Sequence, residues 1–126
     1  MSGVLLDTTV VIDLLRGHRP AHGYVLRLAA IPAASEITRV EVLRGVRSGE
    51  RRVTERLLAT FHWLPVDEPV ARRAGDLGIR WRASHQGLAT ADLVIAATAL
   101  EHDLDLATLN VRHFPMFKGL EAPYGD

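Results

Sequence analysis

A chain of 126 residues is long enough to bury one core without staples and too short for two cores of ordinary size. It has no cysteine, which excludes disulfides and thiolate metal sites and suits a reducing compartment. Fifteen basic residues balance fifteen acidic ones, so no overall charge draws the chain to polyanions, and 48% hydrophobic content marks a folded globule rather than a disordered tail.

The opening stretch MSGVLLDTTVVIDLLRG is interrupted by Asp7 and Asp13 and lacks the basic flank of a signal peptide. No apolar run approaches the ~18 residues of a membrane span. A cytoplasmic protein with no membrane contact is the expectation. Lys118 is the only lysine. The run Arg44, Arg47, Arg51, Arg52 and Arg56 reads first as a solvated helical face, and charge alone names no partner.

In chain order, Val4–Leu6 forms the first strand candidate, followed by a helix over about Thr9–Leu15 that Gly17 stops. A second helix is placed near Ala21–Ala30, before Pro32. Pro32–Ser35 is a weak strand, and the helix after it runs to Gly45. Val53, Leu57, Leu58 and Phe61 recur at helical spacing. Trp63–Val66 follows as a strand. Asp67 and Pro69 introduce a helix whose apolar stripe is Val70, Ala74, Leu77 and Trp81. The segment ADLVIAATAL is apolar almost all round, which predicts a helix buried against a neighbour or a second subunit. Leu104–Thr108 is the last strand. Alternating strands and helices give one α/β domain over residues 1–126, with a parallel sheet covered on both faces.

In such folds the helix N-termini and the strand C-termini share one edge, where ligands bind. Asp7 follows the first strand, Glu41 is expected in the first turn of the third helix, Asp92 in the first turn of the buried helix, and Asn110 follows the last strand. Asp103 and Asp105 enter the last strand and belong to the opposite edge. Each of the three acids also has a structural role open to it. Asp7 suits a helix cap, and Thr38-Arg39-Val40-Glu41 reads as a capping box. Asp92 would be favoured by a helix dipole in any case. Those roles leave unexplained why VLLD and TADLVIAA set carboxylates beside apolar core, where an unpaired charge is costly. Two carboxylates about 4 Å apart repel by roughly 1–4 kcal/mol at surface-like dielectric. A divalent cation offsets that repulsion, and a donor set made of oxygens suits Mg²⁺ or Mn²⁺ rather than Zn²⁺.

The stretches LLDTTVVIDLLRG, SEITRVEVLRG, TADLVIAATALEHDLDLATLNVRHF and FKGL, in this order, resemble the PIN-domain ribonucleases of the VapC toxin type, from type II toxin–antitoxin pairs. The resemblance spans Leu5 to about Leu120. It implies a three-layer α/β/α fold around a parallel sheet of about four to five strands. It also implies that Asp7, Glu41 and Asp92 hold Mg²⁺, with Thr9 and Thr108 as the hydroxyl residues that support them. Asn110 stands at the fourth site position, often Asp in the family, and His113 where many relatives have another Asp. His113 is expected mainly to cap the turn before Phe114 and Pro115. The implied activity is endonucleolytic RNA cleavage, often of tRNA or rRNA, leaving a 3′-hydroxyl and a 5′-phosphate. The implied partners are a VapB-type antitoxin seated in the active-site groove and a second copy of the chain in a homodimer. Arg44 or Arg112 is the expected phosphate contact.

Rival readings are weaker. A phosphatase of the haloacid-dehalogenase type needs a second acid where Thr9 stands, and a receiver domain needs an acidic pair and a switch lysine. The alternative carried forward is a catalytically weak PIN-like module that binds RNA or is sequestered by an antitoxin.

Overall fold

The structure, a computed structural model, describes residues 3–84 and 87–125. Its four strands are β1 (Val4–Leu6), β2 (Ala33–Ser35), β3 (His62–Leu64) and β4 (Asp105–Ala107). Its helices are α1 (Thr8–Leu15), α2 (Arg19–Leu26), α3 (Glu36–Arg44), α4 (Arg51–Leu58), α5 (Glu68–Trp81) and α6 (Thr90–Glu101). Short 3-10 turns at Ser48–Glu50 and Val111–His113 complete the order.

The strands are all parallel, in the order β3-β2-β1-β4. Strands of three residues do not hold themselves, and apolar side chains on both pleats explain why these do. In β1, Leu5 joins one apolar cluster and its neighbour Leu6 joins the other. Leu106 and Ala107 of β4 divide in the same way. One face is covered by α5 and α6, through Val70, Ala74 and Leu77 and through Val94–Ala99. The other is covered by α1, α2 and α4, through Val10, Val11, Leu14, Ala21 and Leu58. The result is the expected three-layer α/β/α arrangement, with four strands among the described residues.

Helix α6 is buried from Val94 through Ala99, and its cover comes from its own chain rather than from a second subunit. Alanines at positions 96, 97 and 99 let neighbouring elements approach closely. A Cβ added at Gly78 of α5 would lie 3.2 Å from the Leu93 Cδ1 of α6, so the Leu93 side chain already packs onto the α5 backbone there. The end of α6 turns sharply into β4. Leu104 donates to the Ala99 carbonyl and Asp103 to the Leu100 carbonyl, while Asp103 takes φ 53 in the left-handed position that usually falls to Gly or Asn.

Several boundaries differ from the expectation. Helix α2 starts at Arg19, because Pro20 suits the first turn, and it ends at Leu26 instead of reaching Ala30. The capping box at Thr38 and Glu41 does not form. Ser35 caps α3, its hydroxyl accepting from the Ile37 amide at 3.2 Å, so Thr38 lies inside the helix and is fully buried. Glu41 therefore sits in the second turn, not the first. In α4 the inward face is Thr54 and Leu58, while Val53 is 63% exposed and Phe61 is buried beyond the helix end. Strand β3 begins one residue early and stops at Leu64, and β4 is confined to Asp105–Ala107.

The C-terminal segment returns across α1 and α2. Tyr124 donates its hydroxyl to Asp13 Oδ2 at 2.8 Å, and its ring packs on His18 and Tyr24 at 5.7 and 6.1 Å between centroids. Burial and the neighbouring Asp13 carboxylate push the Tyr124 pKa above its ordinary value. Tyr124→Phe keeps the ring contacts and removes only the charge-assisted bond. It should cost about 1 kcal/mol and lower Tm by about 2–5 °C in a thermal melt.

Candidate functional site

Strand β1 lies between β2 and β4, so the chain departs to opposite sides of it and leaves a crevice at the C-terminal ends of β1 and β4. Asp7 is the first residue past β1. Its amide donates to the Ala107 carbonyl at 2.8 Å, extending the sheet by one bond. It occupies the N-cap position of α1, yet its side chain makes no cap bond, so the simple capping role fails. Instead Oδ2 accepts two hydroxyls, from Thr9 at 2.8 Å and from Thr108 at 2.7 Å. Both hydroxyls are themselves fixed. Thr9 Oγ1 accepts the Leu109 amide at 3.2 Å, and Thr108 Oγ1 accepts the Asn110 amide at 3.0 Å. Each hydroxyl oxygen is thus held by a backbone N–H, and its single proton goes to Asp7. The carboxylate is only 2% exposed, and charge-assisted bonds of this kind offset part of the cost of burying it.

Asp92 stands in the first turn of α6, where the helix dipole favours an anion. Its pKa is nonetheless raised. Burial is the largest cause, followed by the charge of Asp7, with Glu41 adding a smaller push, and His113 opposes them through its charge and a hydrogen bond. The three acids therefore lie within electrostatic reach of one another. Glu41 approaches from α3, and its Oε1 accepts the Thr8 hydroxyl at 2.6 Å. Thr8 Oγ1 in turn lies 2.9 Å from Thr38 Oγ1. Glu41 also lines a groove of about 610 Å³ between α1, α3 and the start of α4, whose walls include Ile12, Leu15, Arg16, Val46 and Val53.

The remaining candidates divide. His113 Nδ1 is 3.1 Å from Asp92 Oδ2, so His113 faces this acid and is more than a cap for the following turn. Asn110 opens the turn before it, but no hydrogen bond ties its side chain to Asp7, Glu41 or Asp92 among the described residues. Arg44 and Arg112 are exposed and form no ion pair among the described residues. Arg44 lies one turn beyond Glu41 on α3, and Arg112 precedes His113.

Among the described residues, no three His, Asp or Glu side chains close on a single point. Each of the two outer acids has a partner of its own, Thr8 for Glu41 and His113 for Asp92. Three mutually repelling carboxylates are expected to take such partners. The donor set still fits a hard divalent ion that keeps several waters, because it is made of carboxylate oxygens and includes a buried, doubly hydrogen-bonded Asp7 whose field raises Asp92.

The PIN-domain family model matches residues 4–117. The chain belongs to the PIN-domain family. Among its relatives are Ribonuclease VapC19 and Ribonuclease VapC10 of Mycobacterium tuberculosis, each 45% identical over 123 residues. The match covers 95% of this chain and 98% of VapC19, and 96% of this chain and 92% of VapC10. Among solved structures, a toxin–antitoxin complex from Klebsiella pneumoniae superposes with a TM-score of 0.85 at 30% identity, over 98% of this chain and 100% of that chain. Within this PIN domain, Thr8 and Thr38 join the hydrogen bonds around Glu41, and the sequence does not single them out. Thr8 looks redundant beside Thr9, and Thr38 is absorbed into a capping pattern. The available signal was a hydroxyl within three residues of an acid in each case, Thr8 beside Asp7 and Thr38 before Glu41.

The raised pKa of Asp92 fixes the sign of a stability effect. Folding disfavours its ionised form, so stability falls as pH rises from the unfolded value near 3.8 through the folded pKa, and the penalty is fully present above it. Asp92→Asn should therefore raise Tm in EDTA at pH 7. The gain should shrink as pH is lowered and vanish below about pH 3.8, which thermal melts at several pH values would check.

Proposed function

We propose that this chain is the toxin ribonuclease of a type II toxin–antitoxin pair, cleaving RNA phosphodiesters in a Mg²⁺-dependent reaction that Mn²⁺ also supports. The observation that carries the reading is the buried Asp7 carboxylate, doubly hydrogen-bonded at the switch point of the sheet and raising Asp92 beside it. Such a concentration of negative charge opposes folding and is explained by a cation that binds there.

Asp7, Glu41 and Asp92 would hold the ion. Bound there, a divalent cation supplies positive charge to a scissile phosphate and makes a water acidic enough to attack it. The protein's own groups do the rest. Thr9 and Thr108 fix the Asp7 carboxylate so that Oδ2 cannot rotate away. His113 restrains Asp92 through its Nδ1 contact. Asn110 has a carboxamide able to accept from or donate to a water at the rim. Arg44, three residues after Glu41, and Arg112, next to His113, are exposed and available for phosphate oxygens.

The groove beside Glu41 supports an antitoxin partner of the VapB type. Its apolar walls with Arg16 and Glu41 at hand suit an amphipathic segment that would also cover the acids. The resemblance to a toxin–antitoxin complex fits the same partner. A homodimer is part of the proposal, and exposed Val40 (58%) and Ile79 (65%) leave apolar surface for one. Among the described residues no helix is long and apolar enough to cross a membrane.

Protein freed of its partner should cleave cellular RNA with Mg²⁺ and lose that activity in EDTA. Asp7→Asn should lower cleavage by more than about 100-fold, beyond what loss of an outer partner usually costs, while its circular dichroism stays native. Sequencing RNA 5′ ends after induction reads activity and substrate together. If no RNA is cut with either Mg²⁺ or Mn²⁺, the catalytically weak binding module replaces this reading. Asn110→Asp should tighten Mg²⁺ binding by about tenfold, since one more carboxylate strengthens a hard-cation site. An unchanged calorimetric titration would remove Asn110 from the site.

A further inference from the structure

We propose that Thr38 and Thr8 form a hydroxyl relay, Thr38 Oγ1 to Thr8 Oγ1 to Glu41 Oε1, that positions the Glu41 carboxylate for cation binding. The inference rests on the metal-dependent reading above and adds two positioning residues to it.

The direction of the relay follows from counting protons. An ionised carboxylate only accepts, so the 2.6 Å contact makes Thr8 the donor to Glu41. That uses the single hydroxyl proton of Thr8. In the 2.9 Å contact Thr8 must then accept, and Thr38 must donate. Thr38 is fully buried and Thr8 is 8% exposed, so water does not compete for the bond between them, and the Thr8–Glu41 bond is partly buried. A buried hydroxyl costs free energy unless it is bonded, and valine would fill the same space without that cost. The paired threonines therefore have a reason beyond packing.

Glu41 needs such a relay more than the other acids do. Asp7 and Asp92 are short side chains at the N-terminal ends of α1 and α6, where the helix dipole and the first turn confine them. Glu41 sits in the second turn of α3, past the reach of the dipole, on a side chain with one more rotatable bond. It forms no ion pair among the described residues, and it borders the open groove. With Oε1 held by Thr8, Oε2 is left for the ion.

The test is Mn²⁺ binding by the full chain, followed by calorimetry and by the loss of the free-ion electron paramagnetic resonance signal. Wild type should bind Mn²⁺ and Asp7→Asn should not. Thr8→Val should weaken binding by about tenfold, while Thr8→Ser, which keeps the hydroxyl, should stay within about twofold of wild type. Thr38→Val, which leaves Glu41 its donor but frees the donor's direction, should give a smaller loss of about threefold. On a Glu41→Gln background, Thr8→Val should have no further effect, an outcome that a merely structural role would not produce. Unchanged affinity in both valine variants, with Asp7→Asn still unable to bind, overturns the relay and leaves the site intact. Absence of Mn²⁺ binding by wild type overturns the site reading itself, and the relay with it.

Discussion

A carboxylate buried at the end of the central strand is the constraint around which this molecule is arranged. Asp7 cannot lie at the surface, because β1 has a strand on each side and helices on both faces. It cannot be left bare either, since an unpaired buried anion is among the most costly groups in a protein. Two threonine hydroxyls, one from the next turn of the chain and one from about a hundred residues further on, meet the requirement. Each is held in turn by a backbone amide of the β4 turn, so sheet, turn and carboxylate form one rigid unit.

From that unit the other acids take their places. Asp92 arrives on α6, whose burial on all sides leaves little freedom for its first turn. Its raised pKa reflects burial and the field of Asp7, which His113 opposes only in part. Glu41 arrives on α3, a helix that Ser35 starts directly from the end of β2. The fold thus brings negative charge together at a net cost, and sets small hydroxyls rather than arginines against Asp7 and Glu41. An arginine in those positions would neutralise the acids permanently. Hydroxyls orient carboxylates and leave their charge available.

The larger part of the fold is legible in the sequence, because it depends on apolar periodicity. The runs VLL and DLA, the stripe Val70, Ala74 and Leu77, and the continuous apolar ADLVIAATAL fall where their patterns place them. Asp7 and Asp92 are also found at their expected points in the chain, since a strand end and a helix start are marked by composition. What escaped the sequence depends on contacts between distant residues. Nothing local distinguishes Thr38 as a cap from Thr38 as a buried donor, and the difference was decided by Ser35 starting the helix three residues earlier. The contact of His113 with Asp92 spans a separation of 21 residues, and its geometry is set by the turn after β4. Polar side chains whose partners lie across the fold carry no periodic signal.

The bond from Thr108 to Asp7 also has a meaning in time. A ribosome makes Asp7 101 residues before Thr108, and α6, with Asp92, also follows long after Asp7. No N-terminal fragment ending before β4 can hold its central carboxylate as the whole chain does, and β1 lacks its outer neighbour until then. The cluster of acids is therefore assembled only after β4 and Thr108 have been made. The order of the strands thus builds a delay into synthesis, because the acids cannot come together on a nascent chain from which β4 has yet to emerge.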